Sequence, residues 1–135
     1  MLRLPHPLYL DMIGHAFDEL PNEACGLLGG DPATGRVEVF YRCGNAARSS
    51  RIYEVEPRDH LHADRDAETR GLEIIGVMHS HTHTEAYPSP TDLAQAVDPT
   101  WHYVIVSLRD EAPVLRSYQL ADGRIEEEVV ATEAR

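Results

Sequence analysis

The segment from Leu72 to His79 constrains the fold more than any other part of the chain. Leu72, Ile74, Ile75, Val77 and Met78 place apolar side chains on both faces of an extended run. Strand side chains alternate between faces with period two, so this run leaves no face for water. It predicts a central strand in a sheet covered on both sides. The same strand runs out into His79-Ser80-His81. Its two imidazoles then share one face, roughly 6–7 Å apart along the strand.

The flanking segments supply the rest of the sheet and its covers. Pro7 to Leu20 carries Leu8, Leu10, Met12, Ile13, Ala16, Phe17 and Leu20 at helical spacing. Pro7 suits a first turn, and Pro21-Asn22 ends the helix. Ala24 to Leu28 reads as a short apolar strand stopped by Gly29-Gly30. Turn chemistry at Asp31 to Gly35 precedes a strand over Arg36 to Arg42, where Val37, Val39 and Tyr41 alternate. Ile52 to Val55 is a further candidate strand, and the polar run Pro57 to Arg70 reads as a surface helix. Beyond the histidines come a short helix over Pro90 to Val97 and a second buried strand over Tyr103 to Leu108. A hairpin follows, Val114 to Ala121 and Arg124 to Val130, joined at Asp122-Gly123. This succession predicts an α/β fold, a mixed β-sheet flanked by helices.

No repeat or linker interrupts the 135 residues, which predicts one domain spanning 1–135 with a core that needs no disulfides. Cys25 and Cys43 are too few for a disulfide framework, and Cys25 sits in an apolar run as a buried thiol would. The start, Met1 to Pro5, lacks the apolar region of a signal peptide, and no stretch approaches a membrane span. These features predict a cytoplasmic protein with reduced thiols. The net charge of −11 argues against nucleic acid and anionic membranes, which demand a basic footprint. An acidic surface favours solubility and suits a partner with a basic face. Leu2, Leu4, Leu8 and Leu10 fit a docking face and a core equally, so oligomeric state is not legible.

The chemistry-bearing stretch is His79 to Asp92. Two imidazoles and a carboxylate form a common catalytic zinc set that leaves a position open for water. Asp92, on the first turn of the next helix, is the nearest well-placed carboxylate. Ser89-Pro90-Thr91-Asp92 is also an ordinary helix start, with Ser89 as N-cap and Asp92 where the helix dipole favours a negative charge. That reading leaves the histidines unexplained. His83 shares their parity and is a rival ligand, although the strand should end near His81. His6, His15, His60, His62 and His102 read as solvated or satisfied surface groups. A zinc hydrolase also needs a proton carrier that is not a ligand. Glu23, entering the apolar strand, is the candidate, with Glu85 inside the loop as its rival.

Glu23, then His79-x-His81, seven residues, Ser89, two residues and Asp92, resembles the signature of the JAMM (MPN+) metalloproteases at every position. The Glu-Ala-Cys-Gly-Leu-Leu-Gly-Gly run at 23–30 and the run Asn45 to Tyr53 are similar to the bacterial branch of that family. So are residues 84–89, 102–107 and 115–118. The resemblance covers Asn22 to about Val130. It implies a cytidine-deaminase-like JAB1/MPN fold and hydrolysis of peptide or isopeptide bonds next to ubiquitin-like proteins. It implies zinc on His79, His81 and Asp92, Glu23 as general base and acid, and Ser89 helping to hold the oxyanion. His83 and Glu85 have no role in the pattern. The bacterial branch implies, as substrate, a small ubiquitin-like sulfur carrier protein ending in Gly-Gly with cysteine attached. Trimming of carrier C-termini in a thio-metabolite pathway and a non-catalytic scaffold are the alternatives. A larger barrel amidohydrolase, which also uses a His-x-His strand, is excluded by length.

Overall fold

The computed structural model describes residues 1–134. The elements are β1 (Leu2–Pro5), α1 (His6–Asp18), β2 (Cys25–Asp31), β3 (Arg36–Cys43), α2 (Pro57–Thr69), β4 (Glu73–His81), α3 (Pro90–Gln95), β5 (His102–Ser107), β6 (Val114–Ala121), β7 (Arg124–Glu128) and β8 (Val130–Glu133). The strands form one mixed sheet in the order β7-β6-β5-β4-β2-β3-β1-β8. β4 lies inside it, antiparallel to β2 and parallel to β5. Among the described residues no helix is long and apolar enough to cross a membrane.

Both faces of the inner strands are buried. Leu28, Met78, Val104 and Val106 pack with Leu2, Leu4, Met12 and Ala16 beneath α1. Leu27, Val77, Tyr103 and Ile105 pack with Ala63 of α2 on the other face. Each fully buried aliphatic side chain contributes about 1.5–3 kcal/mol. Pairing between β2 and β4 slips between Leu28 and Gly29, so Ile75 is skipped in the ladder. The bulge lets Ile75 pack with the α1 cluster while Val77, two residues on, faces α2.

β7 and β8 occupy opposite ends of the strand order, yet only Val129 separates them in the chain. One residue spans at most about 3.6 Å. The sheet must therefore curl until the end of β7 comes beside the start of β8.

Several sequence expectations need correction. The glycines do not stop β2, which continues to Asp31. A Cβ on Gly30 would lie 2.2 Å from the Arg36 carbonyl oxygen, so the glycine marks close strand approach rather than a turn. Ile52 to Val55 forms no strand and has only an isolated bridge from Asn45 to Val55. Arg124 to Val130 is not one strand, because β7 ends at Glu128 and β8 pairs parallel with β1. β1 itself had no counterpart in the sequence reading. It buries Leu2 and Leu4, whereas Leu10 on α1 is 54% exposed. His15 and His102 are buried rather than solvated. His15 Nε2–H donates to the Cys25 carbonyl at 2.8 Å, and His102 Nδ1 lies 2.7 Å from Glu128 Oε2. Cys25 and Cys43 are both free and buried, with burial pushing each thiol up to about 12.

Gly76 carries the sharpest test of this packing. A Cβ there would lie 2.2 Å from the His102 carbonyl oxygen on β5, a backbone atom that no rotamer change can move. Gly76→Ala should lower stability by about 2–3 kcal/mol, at the upper end of overpacking costs. Denaturant unfolding measures it. An unchanged midpoint would show that β4 and β5 are not packed this closely.

Candidate metal centre

The end of β4 delivers the histidines. His79 and His81 share a face and are only 2% and 4% exposed. The chain then turns through a loop pinned from several sides. The Ser107 hydroxyl donates to the Thr84 carbonyl, the Tyr118 hydroxyl donates to the Ala86 carbonyl, and Leu108 N–H donates to the His81 carbonyl. The loop ends at the start of α3 in a capping box. Ser89 Oγ accepts from Asp92 N–H at 3.0 Å, and Asp92 Oδ2 accepts from Ser89 N–H at 2.9 Å. The same Oδ2 lies 3.1 Å from His79 Nε2 and 3.0 Å from His81 Nε2. The two Nε2 atoms are themselves 3.1 Å apart. The three donor atoms thus form a nearly equilateral triangle.

The protonation states sharpen what this triangle can hold. His81 Nδ1 lies 2.7 Å from the Glu85 carbonyl, which can only accept. Nδ1 therefore carries a proton, and the Nε2 lone pair becomes available to a metal once Nε2 gives up the proton it shares with Asp92. Burial pulls the His81 pKa down, but the bond to Asp92, the Glu85 carbonyl and the Asp92 charge together outweigh it and raise it. Burial lowers His79. Burial also pushes Asp92 upward, but its bonds to His79 and His81 override this and hold the carboxyl well below the usual range. The site is a carboxylate and two imidazoles aimed at one point, a donor set suited to a cation. Zinc bonds of roughly 2.0–2.2 Å to such donors place neighbouring ligands about 3–3.5 Å apart. The donor spacing and the donor chemistry both fit zinc.

Glu23 precedes β2 and is 3% exposed. Its N–H donates to the Ser49 carbonyl at 2.8 Å, and its carbonyl accepts from Asn45 Nδ2 at 3.1 Å. Its Oε1 is fully buried with no hydrogen-bond partner among the described residues. Burial pushes the carboxyl up to about 8, with His81 opposing and Asp92 adding to the rise. Glu23, His81, Thr82 and Ser89 line one groove of about 310 Å³.

The structure thus brings His79, His81 and Asp92 together and sets Glu23 and Ser89 beside them. His83 is exposed and outside the three-donor cluster, while Glu85 contributes its carbonyl rather than its carboxyl. Two contributors had no role in the sequence reading. Tyr53 stacks on His79 at 4.3 Å with the rings 17° apart. Asn45 holds the 45–55 segment together, accepting from Ala47 and Glu54 N–H and donating to the Ile52 carbonyl. The only signal for either was the likeness of the Asn45–Tyr53 run to a family.

Residues 5–121 match the family of prokaryotic homologs of the JAB domain. The chain belongs to the JAB (JAMM/MPN) family. Other comparisons agree with this JAB assignment. The chain is 42% identical over 120 residues to the CysO-cysteine peptidase of Mycobacterium tuberculosis, covering 88% of this chain and 82% of that one. It superposes on a protein from Desulfitobacterium hafniense with a TM-score of 0.91 at 35% identity, covering 100% of this chain and 94% of that one. A JAB1/MPN domain protein from Archaeoglobus fulgidus shares the fold at 18% identity, with a TM-score of 0.62 and coverage of 98% and 97%. The JAB-family chain is a hydrolase of the JAMM type.

The raised Glu23 carboxyl generates a pH prediction for metal-free protein. Its folded pKa of about 8 lies above the ordinary carboxyl value of 4.5. The folded state therefore holds the proton more tightly, and stability present below the lower value is lost as pH rises through the higher one. Glu23→Gln removes that loss. Metal-free Glu23→Gln should match wild type near pH 4.5 and exceed it by about 1–2 kcal/mol at pH 8.5, a figure discounted for water in the groove. Chemical denaturation at both pH values measures this. A stability gap independent of pH would show that Glu23 ionises normally.

Proposed function

We propose that this protein is a zinc-dependent metallopeptidase acting on a small ubiquitin-like sulfur carrier protein. His79, His81 and Asp92 would hold the metal. It cleaves the bond after the carrier's C-terminal Gly-Gly and releases cysteine. The observation that carries this reading is the convergence of three metal-type donor atoms within 3.1 Å of one another beside a buried Glu23 whose Oε1 has no partner among the described residues. The name of the mycobacterial relative supports the choice of substrate. The reading treats residues 1–135 as one catalytic domain. Two free buried thiols suit a reducing cytoplasm.

Zinc, when bound, supplies a Lewis acid that polarises the scissile carbonyl and acidifies water. Glu23 takes a proton from the attacking water and returns it to the leaving nitrogen. Burial raises this carboxyl above its ordinary value and a neighbouring cation would draw it back down, so the two opposing influences suit a group that must both take and return a proton. Ser89 Oγ already accepts from Asp92 N–H, so its own hydrogen is free to donate to the developing oxyanion. Asp92 and Ser89 hold each other through the capping box, which fixes that hydroxyl beside the proposed ligands. Tyr53 holds the His79 ring in its plane and keeps water from that side.

Zinc-loaded wild type should release cysteine from a carrier–cysteine conjugate, as read by mass spectrometry of both products. No release with stoichiometric zinc bound would sink the substrate assignment. Glu23→Gln should keep its zinc and lose about 10²–10⁴ in kcat. Undiminished turnover in that variant would remove Glu23 from the mechanism. Ser89→Ala should lose about 10²-fold in kcat with little change in metal content, together with about 1 kcal/mol of stability from the lost cap. Normal kcat in a destabilised Ser89→Ala would leave the serine as a cap alone.

A further inference from the structure

One more side chain lines the groove that holds Glu23, His81, Thr82 and Ser89. It is Arg51. Its segment is braced from several directions. Arg51 and Ile52 N–H both donate to Ser49 Oγ, at 3.0 and 3.3 Å. The Ser50 carbonyl accepts from Thr82 Oγ1 at 3.1 Å, and Tyr53 stacks on His79. The backbone of Arg51 is thus fixed to both β4 and the Glu23 turn, while its side chain is exposed.

The Arg51 guanidinium has no ion pair or side-chain hydrogen bond among the described residues. Arg48, Arg58, Arg65 and Arg124 are likewise without such a partner, and what sets Arg51 apart from them is its place on the wall of this groove. Among the described residues no other arginine lines this groove. The chain carries a net charge of −11. An unpaired permanent cation on a groove wall of so acidic a molecule calls for an anion that arrives with the substrate.

We propose that Arg51 binds the free α-carboxylate of the single amino acid released from the carrier's C-terminus. The inference rests on the peptidase reading above and sets its specificity. Hydrolysis breaks the glycyl C–N bond, places the water oxygen on the glycyl carbon and sends a proton to the leaving nitrogen. Glu23 can return that proton only if the nitrogen reaches hydrogen-bond distance, inside the groove. The α-carboxylate sits on the carbon next to that nitrogen, so it must enter the groove too. Among the described residues of the groove walls, Arg51 alone offers a permanent positive charge, and a guanidinium fork matches a carboxylate. A carrier joined through an isopeptide bond, or through an internal peptide bond, has no carboxylate at that position. Arg51 therefore makes the enzyme favour removal of one terminal residue.

The test uses a carrier extended by one serine, made as the free acid and as the C-terminal amide; serine avoids thiol binding to the metal. Binding to zinc-loaded Glu23→Gln protein is read by calorimetry. The acid should bind about tenfold more tightly than the amide, the worth of one partly solvated charged hydrogen bond. Adding Arg51→Ala should bring the ratio near one, while Arg51→Lys keeps part of it. Arg48→Ala, on the same segment but lining a different groove, should preserve it. An acid preference that survives Arg51→Ala, or no preference at the start, overturns the assignment. Cleavage by wild type is followed in parallel. Acid-selective binding through Arg51 without cleavage would leave this inference standing and remove the peptidase reading. Cleavage without Arg51-dependent selectivity would do the reverse, and binding of neither form would remove both.

Discussion

A single oxygen, Oδ2 of Asp92, ties the secondary structure to the chemistry. It accepts the Ser89 N–H at the start of α3 and lies within 3.1 Å of both imidazole Nε2 atoms. A capping carboxylate normally faces solvent and adds a modest increment to helix stability. Here the loop of residues 82–88 is pinned so that the cap turns inward onto β4. The six residues of α3 are too few for an independent helix. The short helix is held by what its first turn touches, and that contact is the proposed metal site.

The groove also separates two carboxyls by environment. Asp92 is held ionised by the two histidines, and Glu23 is pushed the other way by burial. Two acids of similar intrinsic strength thereby acquire distinct states, one suited to holding a cation and one to moving a proton. A cation at the three donors would draw the Glu23 carboxyl back toward ionisation. Occupancy of the centre would therefore tune the protonation of the carboxyl proposed to carry the proton.

Much of this was legible in the sequence because it depends on local rules. The two-sided apolar run placed β4 at the centre, parity placed His79 and His81 on one face, and Ser-Pro-x-Asp marked a helix start. What escaped depends on contacts between distant segments. Tyr53 stacks on His79 across 26 positions, and no periodicity announces such a pair. Asn45 folds residues 45–55 by side-chain bonds to backbone groups, so a strand-like Ile52–Val55 became an ordered loop. His15 and His102 looked like surface groups because their partners, the Cys25 carbonyl and Glu128, lie on other secondary-structure elements. Gly29-Gly30 read as a stop because sequence does not distinguish a turn glycine from one that lets strands approach.

The curl of the sheet has a consequence for how the molecule is assembled. β1 at residues 2–5 is flanked by β3 on one side and by β8 at residues 130–133 on the other. On a ribosome, β8 is made after every other described strand. Until then β1 has one free edge, and Leu2 and Leu4 lack their last neighbour. Pairing so distant in sequence is also slow to form. The last-made strand thus completes the flank of the first, and a chain that stops short of β8 leaves that edge of β1 unpaired.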